Sequence, residues 1–350
     1  MKNEKEVVKK KIRIAIVDFA PKEGYLAERL LGMVTDRYDF EITENDPDFV
    51  LHSCMGNKAL KFDAVRIFYT AENFTPDFNL SDYALGMDPL VFGDRYHMLP
   101  LYRLYFDTYS KILQPRMLND EKEFFCTCVV SNARRETSFF DLFKALEKHK
   151  HVASGGRVLN NVGGRVPDKL KFMKQGRFGL AFENSIAPGY ITEKLTDVYA
   201  AGSIPIYLGA PDIEKYFNPD SFINISKYDS IEDAVKEIIE IDQDEKRYLA
   251  MLNASVFIDG VEPSFLKEDA IKKFLSSIFD QNPEQAYRRN RMIRGEIYLK
   301  KLRTAFFKPH VQASRLIRGW IRKKRKVKTF IAPIRITSDG VVYADKNKLE

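Results

Sequence analysis

The run FENSIAPGYITEK at residues 182–194 constrains this chain more than any other segment. An apolar lead-in, Phe178-Gly179-Leu180-Ala181-Phe182, predicts a buried strand arriving at Glu183 and Asn184. A Pro188-Gly189 turn follows, and Thr192 then opens a helix. Threonine at an N-cap satisfies free backbone N–H groups, and Glu193 behind it suits the positive end of the helix dipole. Strand, polar loop and helix N-terminus together are how α/β folds build an anion site, because unpaired N–H groups converge there. Lys194 adds a full positive charge, so the segment suits a phosphate. The same residue pattern also describes an ordinary capped junction with a solvated Glu-Lys pair.

The flanking sequence places this junction in a repeated strand–helix order. Residues 12–19 predict a first buried strand and residues 22–34 a helix with apolar positions at Leu26, Leu30, Leu31 and Val34. Further strands are expected at Phe49–His52 and Ala64–Tyr69, the latter delivering Glu72 and Asn73 at its C-terminal end. A second α/β set starts near Phe124 and continues through a helix at 137–148, a short strand around His151–Ala153 and the strand at 178–183. It then runs through the helix at 192–201, strands at 204–208 and Phe222–Ile225, and helices near 230–240, 243–255 and 264–279. The Gly155-Gly156 and Gly163-Gly164 pairs lack the spacing of a dinucleotide fingerprint and predict turns. Asp46-Pro47-Asp48 has the Asp-x-Asp form that many glycosyltransferases use to hold a metal–nucleotide complex. Here it precedes a strand, and Pro47 makes it a turn.

Three blocks resemble the α1,3/4-fucosyltransferases, and the bacterial members in particular. FENSIAPGYITEK, continued by LTDVYAAG and SIPIYLGAP, is similar to their signature block. FYTAENFTPDFNLSDYALGMD at 68–88 resembles their acceptor-side segment, and CVVSN at 128–132, followed by Arg134 and Arg135, resembles the opening of their donor domain. The blocks stand in the family's order, and the similarity runs from about residue 12 to residue 280. The resemblance implies an α/β chain of the GT-B type, with two Rossmann-like domains facing across a cleft. An acceptor-side domain is expected over residues 1–122, a GDP-fucose-binding domain over 123–285 and a basic amphipathic helical tail over 286–350.

It also implies an inverting transfer of fucose from GDP-fucose to an N-acetylglucosamine hydroxyl of an N-acetyllactosamine-type glycan, as in an oligosaccharide or lipopolysaccharide acceptor. Glu72 matches the family's general base, and its aromatic and apolar neighbours predict a desolvated carboxylate. Arg135, with Arg134 as the alternative, and Lys194 match groups that stabilise the diphosphate. Glu193 resembles the residue that accepts hydrogen bonds from the ribose hydroxyls, while Asn184 and Tyr190 match positions lining the donor pocket. Glu183 is expected to bind fucose or brace the loop. Basic groups already supply the diphosphate's counter-charge, so no metal or other cofactor is expected. The nearest rival within enzymes is a GT-B transferase using another nucleotide sugar.

Charge and cysteine usage narrow the setting. The 350 residues carry a net charge of +7, yet 16 Lys/Arg stand against one acid between Ala286 and Phe330, and residues 331–350 balance. Taking that +15 from the total leaves about −8 for residues 1–285. A nucleic-acid-binding scaffold would carry its basic patch on the folded core, so an acidic core argues against nucleic acid. Leu299, Leu302, Phe306, Ala313, Leu316, Ile317, Trp320 and Ile321 recur at helical spacing within the basic stretch. That pattern suits the surface of an anionic membrane, with docking onto the enzyme and nucleic acid as alternatives. Three cysteines cannot build a disulfide framework, and no apolar run reaches signal-peptide or membrane-span length. The expectation is a cytoplasmic protein associated peripherally with the inner membrane face.

Overall fold

The computed structural model describes residues 8–116, 122–131, 137–289, 292–307, 334–337 and 340–343. One compact unit spans Met1–Gly295 and a second Glu296–Glu350. The first unit holds two parallel sheets. In the first sheet, β1 (Lys10–Val17), β2 (Tyr38–Ile42), β3 (Phe49–His52), β4 (Val65–Tyr69), β5 (Tyr83–Gly86) and β6 (Tyr96–Met98) lie in the order β2-β1-β3-β4-β5-β6. The second contains β7 (Phe124–Cys128), β8 (Val152–Ser154), β9 (Gly176–Phe182), β10 (Ile204–Leu208) and β11 (Ile223–Asn224), in the order β11-β10-β9-β7-β8. Every neighbouring pair in both sheets is parallel, so the C-terminal strand ends of each sheet share one edge.

Burial explains the strand sequences. All five residues of β4 are buried, as befits a central parallel strand covered on both faces. In β1 the two faces feed different clusters, Ile12 and Ile14 on one side and Ala15 and Val17 on the other. Strands β2, β5 and β6 are absent from the sequence expectations. β2 and β6 each bury a single tyrosine, Tyr38 and Tyr96, so they lack a sustained apolar run, while β5 is wholly buried but only four residues long and ends in glycine.

The helices are α1 (Gly24–Gly32), α2 (Phe106–Ile112), α3 (Thr137–Glu147), α4 (Lys169–Met173), α5 (Glu193–Ala200), α6 (Ile231–Gln243), α7 (Glu245–Asn253), α8 (Glu268–Phe279), α9 (Pro283–Ala286) and α10 (Ile293–Phe307). Leu26, Leu30 and Leu31 of α1 pack under the first sheet. So do Ile271, Leu275, Ile278 and Phe279 of α8, a helix that the sequence groups with the second half. In return, Tyr109 and Ile112 of α2 join the cluster around α5. An i, i+4 apolar stripe states that a helix has a buried face, and not which sheet covers it. Residues 286–289, expected in the tail, are anchored as well. Arg288 and Arg289 donate backbone N–H groups to Asp82 Oδ1 at 2.7 and 2.9 Å, and the Arg289 guanidinium pairs with the same buried carboxylate.

Of the tail proper, α10 and an antiparallel pair, β12 (Ile334–Thr337) and β13 (Gly340–Tyr343), are described. The remaining stripe positions, from Ala313 to Ile321, lie outside the described residues. Among the described residues no helix is long and apolar enough to cross a membrane.

Candidate active site at the facing strand ends

The segment 182–194 folds as its sequence predicts, and its buried carboxylate proves central. Strand β9 ends at Phe182, leaving Glu183 buried at 2% exposure. Glu183 accepts from Thr192 at both oxygens, from the backbone N–H at 2.7 Å and from the hydroxyl at 2.6 Å. Thr192 in turn caps α5 by accepting from the Lys194 N–H. The Lys194 ammonium lies 3.4 Å from Glu183 and 3.9 Å from Glu193. Burial raises the Glu183 carboxyl above its ordinary range, against the opposing pull of Lys194 and the Thr192 bonds. For Lys194, burial acts downward, but the Glu183 and Glu193 carboxylates outweigh it and its pKa rises. Of the two roles expected for Glu183, the hydrogen bonds describe a brace: it fixes the helix N-terminus and the lysine together.

The turn in this segment touches the first sheet's edge. Gly189 adopts φ +71°, and a Cβ there would overlap the Met87 carbonyl oxygen just past β5. Its N–H donates to Asp212 Oδ1 at 2.8 Å, and Asp212 Oδ2 accepts from the Tyr216 hydroxyl at 3.0 Å. Tyr190 is 3% exposed and belongs to the core beneath the first sheet. Its hydroxyl is pushed up by burial and then by Glu183, Glu72 and Glu193, so one phenol senses carboxylates from both halves. Asn184 is exposed, and Glu193 is half-buried in the first turn of α5.

From the first sheet, the loop after β4 presents Glu72. Its N–H donates to Thr70 Oγ1 at 3.1 Å, its carbonyl accepts from the Phe74 N–H at 2.8 Å, and its side chain is exposed. The desolvation expected from its neighbours is therefore not supplied by the fold, because Phe74 is itself half exposed and the loop turns outward. Near it lies a group missed by the sequence reading. Glu23 follows β1, and its carboxyl is raised first by burial and second by Glu72. Tyr25 beside it donates to the Tyr105 hydroxyl at 2.8 Å, and Tyr105 lies within the field of Glu193. An acidic residue in the connection between the first parallel strand and its helix, here the residue at the N-cap of α1, is a signal the sequence does carry, since such sheets place ligands beyond their C-terminal strand ends.

Arg134 and Arg135 lie outside the described residues. Before them in the chain, the Ser131 carbonyl accepts from the Arg157 guanidinium at 2.9 Å. The glycine pairs form turns here. Gly156 runs so close to Val130 that a Cβ would overlap its backbone, and Asn160 closes the loop by donating to the Gly156 and Gly164 carbonyls. Asp46 adopts a positive φ and is exposed in a turn before β3, where Arg13 pairs with it. Cys126 and Cys128 are buried in β7, and burial holds both thiols protonated, Cys128 at about 12.

Comparison with known proteins agrees with this geometry. Residues 14–105 match the family model of the α-(1,3)-fucosyltransferase FucT N-terminal domain, and residues 119–269 match that of the glycosyltransferase family 10 (fucosyltransferase) C-terminal region. An α-(1,3)-fucosyltransferase FucT of Helicobacter pylori is 34% identical over 291 residues, covering 71% of this chain and 60% of that protein. The chain thus spans about 60% of the length of that relative. A crystal structure of an α1,3-fucosyltransferase superposes with a TM-score of 0.71 at 29% identity, covering 84% of this chain and 96% of the other. A crystal structure of an α1,3-fucosyltransferase with GDP-fucose gives 0.68 at 28% identity, over 81% and 94% of the two chains. The two parallel sheets with facing strand ends are the GT-B architecture.

Proposed function

The chain belongs to the family 10 glycosyltransferases, the fucosyltransferases, and from that membership we propose that it transfers fucose from GDP-fucose to an N-acetylglucosamine hydroxyl of an N-acetyllactosamine-type glycan, with inversion. The observation that carries the reading is the juxtaposition of two strand-end loops. One fixes Glu183, Thr192 and Lys194 at the N-terminus of α5 and packs Gly189 and Tyr190 against the first sheet, and the other presents Glu72, whose carboxylate joins burial, Glu183 and Glu193 in raising the Tyr190 pKa.

In this reading GDP lies against the second sheet. The diphosphate takes its counter-charge from Lys194, from the free N–H groups of the first turn of α5, and from Arg135 or Arg134. Glu193 accepts from the ribose hydroxyls, and Asn184 contacts the sugar–diphosphate. Tyr190 supports the pocket from below, since its ring is buried. Glu183 acts through Thr192 and Lys194, holding both where the leaving group needs them.

Glu72 takes the proton from the acceptor hydroxyl. The freed oxygen forms a bond to the fucose anomeric carbon from the face opposite GDP. The anomeric C–O bond breaks, and its electron pair leaves on the β-phosphate oxygen, which the basic groups stabilise. Because the Glu72 side chain is exposed, the water exclusion that would raise its basicity has to come from the bound sugars themselves. On this reading the chemistry requires no metal, because Lys194 and an arginine of the 134–135 pair supply the counter-charge for the leaving group.

The basic stretch after residue 286 is assigned to an anionic membrane surface, which would hold the enzyme beside lipid-linked or lipopolysaccharide acceptors at the inner face of the cytoplasmic membrane. The test of the reaction is GDP release from GDP-fucose in EDTA, with and without N-acetyllactosamine. Acceptor-dependent release establishes donor, reaction class and metal independence together. No release and no GDP binding would sink the reading.

A further inference from the structure

Buried carboxyls in this chain come with partners. Glu183 is met by Thr192 and Lys194, Asp82 by Arg289, Asp197 by Lys169, and Asp242 by Lys150 and Arg177. In each, the cost of burying a charge is offset by a donor or a cation. The half-buried Glu23 is different. Its Oε2 is buried with no hydrogen-bond partner in the protein, and among the described residues no cation pairs with it. It stands at the N-cap of α1 yet makes no side-chain bond to that helix. A carboxyl that neither caps nor pairs is retained for something other than the fold, and its neighbours show what.

Phenols and one carboxylate surround it. Tyr69, the last residue of β4, is fully buried, and its hydroxyl has no partner in the protein either. Burial pushes that hydroxyl up, followed by Tyr25 and Glu23, so the two unpartnered groups lie within each other's field. Tyr25 on α1 donates to the hydroxyl of Tyr105, at the N-cap of α2, at 2.8 Å. Both rings, with Ala71, pack against the core that holds Tyr69 and Tyr190. Arg29 is the cation on this side, but its guanidinium lies over the Tyr25 and Tyr105 rings and donates to the Leu104 carbonyl. The carboxylate acting on Glu23 is Glu72, three residues past Tyr69.

Two carboxyls that feel each other do so reciprocally, because the charge on one strengthens the other's hold on a proton. Burial acts on Glu23, whereas the Glu72 side chain is exposed. With one proton in the pair, that proton therefore sits on Glu23 and Glu72 is the ionised member.

We propose that Glu23 is a positioning residue of the transfer step, the second carboxyl of a coupled pair whose charge sets how strongly Glu72 takes the acceptor proton. The proposal rests on the fucosyl-transfer reading and gives its base a partner. In the step, the acceptor O–H proton passes to a Glu72 carboxylate oxygen, and from there to solvent after the product leaves. Glu23 needs no contact with either substrate. While it keeps its own proton it is a neutral neighbour; once that proton is lost to solvent, its negative charge makes Glu72 the stronger base.

A carboxyl titration tests the pair without turnover. In protein carrying carbon-13 at the glutamate side-chain carboxyls, the Glu23 signal is the one lost in both Glu23→Gln and Glu23→Asp. Its midpoint in the parent should lie above the ordinary glutamate range and fall toward that range in Glu72→Gln, which removes the neighbouring charge. A midpoint that ignores Glu72→Gln overturns the pair. Kinetics then shows its use. Glu23→Gln keeps a neutral group of the same size, so its kcat should match the parent at about pH 5 and fall severalfold behind at about pH 8, where the parent's Glu23 is ionised. A deficit equal at both pH values, or none at either, overturns the proposal. Failure of the functional reading looks different: the two carboxyls are coupled in the titration, yet GDP-fucose is neither bound nor turned over.

Discussion

The loops after β9 and after β4 reach the same region from opposite sheets, and they are held very differently. After β9, Glu183 is buried with both oxygens taken by Thr192, Lys194 lies between two carboxylates, and Gly189 is wedged between Asp212 and the end of β5. After β4, Glu72 is secured through its backbone while its carboxylate projects into solvent. On the proposed reading, the contrast suits the two sides to different work. A diphosphate needs charges already in place, because their fixed positions are what stabilise the leaving group. A base acting on one hydroxyl needs its environment completed only when that hydroxyl arrives.

The sharpest way to break this comparison is at Glu72. Glu72→Gln should lower transfer by about 10²–10⁴-fold, the range for losing a general base, with GDP affinity and melting temperature unchanged. Isothermal titration of GDP beside the rate assay decides it. Loss of GDP binding together with the rate would mean that the β4 loop is part of the nucleotide site, and the two-sided division fails.

Lys194→Ala should lower kcat/KM by about 10²–10³-fold, comparable to removing one fixed charge-stabilising donor. It should also add a pH dependence to stability. Burial holds the Glu183 carboxyl above its ordinary range, and Lys194 is the largest influence opposing that. Removing the ammonium raises the carboxyl further. A carboxyl whose pKa is higher folded than unfolded confers stability that is fully present below the unfolded value and is lost as pH rises through the folded one. The variant's melting temperature should therefore fall further below the parent's at about pH 8 than at about pH 5. An equal deficit at both would remove Glu183 from the account.

Gly189→Ala probes the wedge between the halves. A non-glycine residue at φ +71° is strained, and its Cβ would meet the Met87 carbonyl, so a loss of about 1–3 kcal/mol is expected from chemical denaturation. Because the turn joins the donor loop to the first sheet, GDP affinity should weaken with it. Stability lost at unchanged GDP affinity would show that the turn braces the fold alone.

How far these features are legible in the sequence follows the range of the interactions behind them. The strands β3, β4, β9 and β10 and the Thr192 cap are readable because each depends on a few adjacent residues. Membership of α8 in the first core is not readable, since Phe279 meets Phe49 and Tyr38 across more than two hundred residues. Tyr190 reads as a loop residue near a ligand, but its ring completes a core built from the other half. Glu72 sits where its strand predicts, while its exposure depends on how the following loop turns. Glu23 is not readable as a site residue, because the sequence places it in the first turn of a helix over 22–34, where an acid reads as ordinary helix-start chemistry; in the structure it is the N-cap of α1 and its carboxyl is raised by burial.

The smallest expected effect is the one that tests the metal-free reading from outside both loops. Asp46-Pro47-Asp48 carries the Asp-x-Asp form, yet Asp46 is fully exposed in a turn that enters β3 from its N-terminal side, at the sheet edge opposite the strand ends carrying Glu72. Asp48 has its backbone occupied, its N–H donating to the Arg13 carbonyl at 3.0 Å and its carbonyl accepting from Val65 at 3.0 Å. A carboxylate on that edge cannot reach a diphosphate held by α5, because β3 alone separates the two edges of the sheet by four residues, about 13 Å. Asp46→Ala should leave transfer rate, melting temperature and insensitivity to EDTA as they are in the parent. A rate that falls, or that becomes dependent on added Mn²⁺, would put a metal into the mechanism and would undo the argument that fixed cations alone balance the leaving group.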